Sequence, residues 1–96
     1  MICHVVVFKF KPEAPQAERQ RWLEQMRALP DQIDFIRSFN VGTDHLRSPS
    51  SYDVALVAEF DSLDDVRSYA DHPAHLPVVE FGRTLTESRI SVDFEV

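Results

Sequence analysis

The chain predicts an α+β domain of element order β-α-β-β-α-β, and three observations carry that expectation. Two stretches, at the start and in the middle, alternate as strands do yet are apolar on both faces. Two regions that follow them carry helical spacing, and the final ten residues alternate apolar and polar with a period of two. Ninety-six residues, 44% of them apolar, suit one domain around a single core.

Ile2 to Lys11 is rich in β-branched and aromatic residues, with Ile2, His4, Val6, Phe8 and Phe10 on one face and Cys3, Val5 and Val7 on the other. Pro12, which has no N–H for a ladder, stops this strand. From Pro15, Trp22, Leu23, Met26 and Leu29 fall at i, i+1, i+4 and i+7 of a helix that Pro30 should end. Phe35 to Asp44 reads as a second strand, interrupted at Gly42, and Thr43 to Ser51 as a long, polar, flexible loop. In Asp53 to Phe60, the third strand, Val54, Leu56, Ala58 and Phe60 alternate with Asp53, Ala55, Val57 and Glu59. Ser62-Leu63-Asp64-Asp65 resembles a capping box that opens a helix carrying Val66, Tyr69 and Ala70 inward until Pro73. A further helix runs from about His75 to Leu85, with Pro77 in its tolerated first turn and Gly82 weakening its far end. Glu87 to Val96 is the last strand, half buried through Ile90, Val92, Phe94 and Val96.

Two right-handed β-α-β crossovers in this order give a four-stranded antiparallel sheet, 4-1-3-2, with its helices on one face: the ferredoxin-like arrangement. Strands one and three are central, and the helices cover only one of their apolar faces. Val5, Val7, Ala55 and Val57 therefore need another cover, and a second copy of the chain packed through the bare sheet face supplies it.

Sixteen acids against ten scattered bases offer no cluster to track a phosphate backbone, so nucleic acid is not an expected partner. The single cysteine, Cys3, excludes an intrachain disulfide and points to a reducing, cytoplasmic setting. No basic leader opens the sequence and no apolar run approaches the roughly 20 residues of a membrane helix. With only Gly42 and Gly82 there is no glycine-rich phosphate cradle, and no cofactor is expected.

Chemistry concentrates in Tyr69-Ala70-Asp71-His72-Pro73-Ala74-His75-Leu76-Pro77-Val78-Val79, where a phenol and two imidazoles flank a proline-broken helix boundary. An imidazole titrates near neutrality and a phenol donates a hydrogen bond while neutral, which suits general acid–base work. His75, near a helix N-terminus, feels the positive end of the dipole, which favours neutral imidazole and a base. Tyr69 could hold an enolate or carbonyl oxygen. His4 shares its face with Val6 and Phe8, so it should point toward the same cavity, and His4, Phe8 and His72 are candidates for ligand contact. Each has a blander reading: Tyr69 as a core aromatic, His75 as a corner filler, His72 as a turn residue before Pro73. His72 and His75 at i, i+3 with His4 could in principle hold zinc, but no carboxylate or thiol is placed to complete the set, and no metal is expected.

Together, Ile2-Cys3-His4-Val5, Phe8-Lys9-Phe10-Lys11-Pro12, Phe39-Asn40-Val41-Gly42, Tyr52-Asp53-Val54-Ala55-Leu56-Val57 and His72-Pro73-Ala74-His75 resemble the stress-responsive A/B barrel (Dabb) family across nearly the whole chain. The resemblance implies a dimer in which two sheets meet face to face as a barrel. It also implies, through the family's plant polyketide cyclases, an intramolecular aldol condensation in an apolar pocket. The cyclases' Tyr and His correspond to Tyr69 and His75, and a further pocket His to His4. A histidine that some cyclases carry early in the third strand falls on Val54 here, a departure that bears on substrate. A weak cation site at the backbone carbonyls of Pro30, Ile33 and Ile36 is implied as well. Two readings stay open: a cofactor-free cyclase or lyase acting on a carbonyl-bearing small molecule, and a non-catalytic, stress-associated dimer that binds a small hydrophobic ligand. The fold also admits a cofactor-free monooxygenase or isomerase.

Overall fold

A computed structural model describes residues 1–96 as β1 (Ile2–Phe10), α1 (Gln16–Arg27), α2 (Leu29–Gln32), β2 (Ser38–Thr43), β3 (Val54–Phe60), α3 (Leu63–Ala70), α4 (Leu76–Leu85) and β4 (Thr86–Glu95). The four strands form one antiparallel sheet, β2-β3-β1-β4, the expected order read from its other edge. Strand alternation sorts the side chains as expected. Val6, Phe8 and Phe10 of β1 and Val54, Leu56, Ala58 and Phe60 of β3 are buried with Trp22, Leu23 and Met26 of α1 in one core beneath the helices. In β1 and β3 register, Cys3, Val5 and Val7 lie opposite Glu59, Val57 and Ala55 on the other face.

Several local expectations are corrected. The second strand begins at Ser38; Phe35 and Ile36 continue its alternation in sequence but lie in the turn before it, packed against the core. Pro30 does not terminate the first long helix. That helix is capped at Ala28, and Pro30 sits in the first turn of α2, where its missing N–H has no partner to lose. The loop after β2 is tied down: Arg47 bridges the carboxylates of Asp44 and Asp53, Asp53 also accepts from the Phe10 N–H at 2.7 Å, and the Ser48 and Ser51 hydroxyls meet at 2.8 Å. Burial alone would raise the Asp53 carboxyl, but the Phe10 N–H and the Arg47 guanidinium outweigh it and hold its pKa below the usual carboxylate range. Ser62 caps α3 as expected, its hydroxyl accepting from the Asp65 N–H at 3.2 Å; Val66 is only half buried and Ala70 is exposed.

Gly82 has a purpose in α4. A Cβ there would stand 2.8 Å from Trp22 Cζ2 and 2.9 Å from Cε2 and Nε1, so its absence lets α1 and α4 close on each other. The Trp22 indole then donates to the Val78 carbonyl at 3.0 Å.

β4 carries the largest correction. Its register on β1 sets Val92 opposite Val5, Ile90 opposite Val7 and Phe94 opposite Cys3. The apolar row expected to be half buried therefore lies on the open face, with Ile90, Val92 and Phe94 53%, 57% and 45% exposed. The polar row of Arg89, Ser91, Asp93 and Glu95 faces the helix side. No helix of the chain is long and apolar enough to cross a membrane.

Candidate active site

A cavity opens between the helices and the sheet, lined by residues from β1, α1, β3, α3, α4 and β4. It measures about 640 Å³ including its solvent-open mouth, with about 90 Å³ reachable by the centre of a water molecule. Most of its wall is apolar, from Val6, Phe8, Met26, Leu56 and Val78 among others.

Tyr69 enters from the last turn of α3, almost fully buried. His75 enters from the N-cap of α4, where the chain has turned past Pro73. Their ring centroids are 4.2 Å apart, and His4, from β1, lies 5.9 Å from Tyr69 edge to face. The α3–α4 junction and the distant strand β1 thus bring the three expected groups together on one hollow, with Phe8 in its wall.

Hydrogen bonds set the tautomers. The Nδ1 of His75 is 3.1 Å from the Ala70 carbonyl oxygen, which can only accept, so Nδ1 carries the proton and the Nε2 lone pair is free of protein partners. Burial pushes the His75 pKa down, the Ala70 bond opposes this, and the positive charge of Arg89 adds to the lowering; the ring is a neutral base at pH 7. His4 Nδ1 meets the Asp93 carboxylate at 2.5 Å, which likewise leaves its Nε2 unbonded.

Tyr69 behaves differently. Burial raises its phenol far above the ordinary value, Arg89 lowering it only in part, so the group remains a neutral O–H donor. No protein atom accepts from that hydroxyl, yet no fully buried polar side-chain atom lacks a partner, so the hydroxyl opens on cavity space.

The structure corrects the place given to His72. It is outside the cavity wall, and its Nδ1 accepts from the Ala74 N–H at 3.0 Å, which stabilises the turn around Pro73. His4, His72 and His75 do not form a metal cluster, and no group of three or more His, Cys, Asp or Glu side chains is spaced for an ion. The Ile33 carbonyl already accepts from the Ile36 N–H at 3.4 Å, and Val54 is buried in the core away from this cavity. Asp93, Arg83 and Arg89 were not anticipated. For Asp93 and Arg89 a signal exists: the polar row of β4 must face the helices once Val5 and Val92 pair on the other side.

Sheet order and one-sided helices define a ferredoxin-like α+β domain, and its pocket sets a phenol beside an imidazole. The chain belongs to the stress-responsive A/B barrel domain family, whose model matches residues 2–96. It is 32% identical over 77 residues to an uncharacterized protein of Streptomyces coelicolor, covering 78% of this chain and 79% of that one. It is 24% identical over 93 residues to the olivetolic acid cyclase of Cannabis sativa, covering 95% and 92%. Among solved structures, a dimeric protein of ferredoxin-like fold from Bacteroides fragilis, of unknown function, is 36% identical and superposes with a TM-score of 0.85 over 99% of this chain and 95% of that one.

Proposed function

We propose that the chain is a homodimeric, cofactor-independent acid–base catalyst of the cyclase or lyase type, acting on a carbonyl-bearing small molecule in this cavity. One observation carries the reading: a neutral imidazole with a free Nε2 and a phenol with an unbonded hydroxyl stand with ring centroids 4.2 Å apart in an apolar hollow. His75 Nε2 removes the proton from a carbon next to a carbonyl. Tyr69 donates to the oxygen on which the enolate charge collects. The enolate carbon attacks a second carbonyl of the same molecule, and the His75 proton passes to the alkoxide so formed, which completes an aldol ring closure. Run in reverse, the same steps are a lyase reaction. His4, held by Asp93, presents its Nε2 as an acceptor toward a substrate hydroxyl. The olivetolic acid cyclase likeness, over nearly the full chain, supports the carbonyl chemistry.

The open sheet face supports the dimer. Val5, Val7, Val57, Ile90, Val92 and Phe94 form one continuous apolar surface on the open face, which a second copy covers by pairing like with like. The dimeric Bacteroides fragilis relative supports this assembly.

The catalytic reading is tested with His75→Ala on an alkyl β-diketone. Binding should persist while exchange of the diketone's acidic carbon-bound proton into deuterated water is lost. Parallel loss of binding and exchange would instead favour a small-ligand-binding dimer.

A further inference from the structure

Charge pairing in this chain leaves two arginines over. It has eight arginines among its ten bases, set against sixteen acids, so carboxylates are in ample supply. Arg21, Arg37, Arg47 and Arg67 pair with carboxylates, while Arg19 and Arg27 donate to backbone carbonyls. Arg83 and Arg89 do neither, although they belong to a chain of net charge −6. Both line the cavity, Arg83 from the last turn of α4 and Arg89 from β4, and both are exposed, which places their guanidinium groups at its mouth. Arg89 is also near enough for its charge to act on both Tyr69 and His75.

We propose that Arg83 and Arg89 form an anion-binding rim, and that the ligand is an amphipathic oxyanion whose apolar chain lies against Phe8, Met26 and Leu56 while its carboxylate or phosphate is held between the two guanidiniums. A guanidinium donates through a planar fork that matches either oxyanion, and a greasy wall beside it suits an alkyl or aryl body. The inference rests on the cavity being the ligand site, and it narrows the substrate class: the carbonyl that meets Tyr69 belongs to a molecule anchored by a negative group at the entrance. Positive charge there also favours the enolate over the neutral ketone.

Trp22, the sole tryptophan, lines the cavity, so its fluorescence reports occupancy directly. Decanoate, decyl phosphate and decanol are titrated against the intact protein at pH 7. At least one anion should bind about ten-fold or more tightly than the alcohol, and the better anion names the head group. That preference should shrink with added salt, vanish in Arg83→Gln/Arg89→Gln with decanol affinity unchanged, and survive in part in Arg83→Lys/Arg89→Lys. Equal binding of all three by the native protein, or a preference that persists in the double Gln variant, overturns the rim while leaving the acid–base reading intact. Absence of binding by any of the three overturns both.

Discussion

Replacing Tyr69 by Phe separates a catalytic phenol from a structural one, because the structure assigns opposite consequences to each. The ring is almost wholly buried, 5.1 Å from Phe60, 4.2 Å from His75 and 5.9 Å from His4, and Phe keeps all of these contacts. A buried hydroxyl that satisfied a protein partner would cost about 1–3 kcal/mol on removal, chiefly through the stranded partner. Tyr69 strands none, so stability should change by less than about 0.5 kcal/mol, or under about 4 °C in Tm for a domain of this size. Turnover should respond far more. Loss of one hydrogen bond aimed at a developing oxyanion costs about 100- to 1,000-fold in rate. The assay pairs thermal unfolding by circular dichroism, at fixed protein concentration, with deuterium exchange into an alkyl β-diketone followed by NMR. A Tyr69→Phe protein that melts well below the parent and exchanges at the parental rate would refute the assignment and make the phenol a core residue.

Three further outcomes follow from the same geometry. Burial holds the His75 pKa below its ordinary 6.5, so between those two values the unfolded chain binds more protons than the folded one and stability declines as pH falls through that window; exchange catalysis should decline at its lower edge, as pH falls through the folded value and protonates the base. His75→Gln should flatten the stability limb in pH-dependent denaturation, and an unchanged slope would mean another group is responsible. Gly82→Ala gains about 1 kcal/mol of helix propensity but drives a Cβ to 2.8 Å from the buried Trp22 ring, an overpacking that costs about 1–3 kcal/mol. The variant should melt lower with altered Trp22 emission, and a gain in Tm would show the ring free to move. Val57→Asp places a carboxylate in the apolar surface opposite Val5 and should convert the dimer to monomer in sedimentation; an undiminished dimer would point to another interface.

Much of this molecule is legible in one dimension. The parity of His4, Val6, Phe8 and Phe10, and of Val54, Leu56, Ala58 and Phe60, sorts core from open face because a strand's period of two leaves no choice. Tyr69 and His75 flank a proline that must break the helix, so their neighbourhood is a local matter, and His4 joins them through the same strand parity. By contrast, Phe35 and Ile36 keep the alternation of a strand while the chain there turns, since propensity is blind to where hydrogen-bond partners lie. Gly82 looked like a weak spot in a helix until Trp22 was seen against it.

The amino-acid order alone thus determined the sheet, its one-sided helices, its uncovered second face and the phenol–imidazole core of the site, all of which rest on short-range periodicity and chain-breaking residues. Tertiary structure decided which way β4 faces, and with it the exposure of Ile90, Val92 and Phe94, the bond of Asp93 to His4 and the arrival of Arg89 at the cavity. The physical reason is that β4 acquires its register only by pairing with β1, some eighty to ninety residues away in the chain, as His4 with Asp93 shows across 89 positions. No local pattern encodes the register of a pairing across that separation.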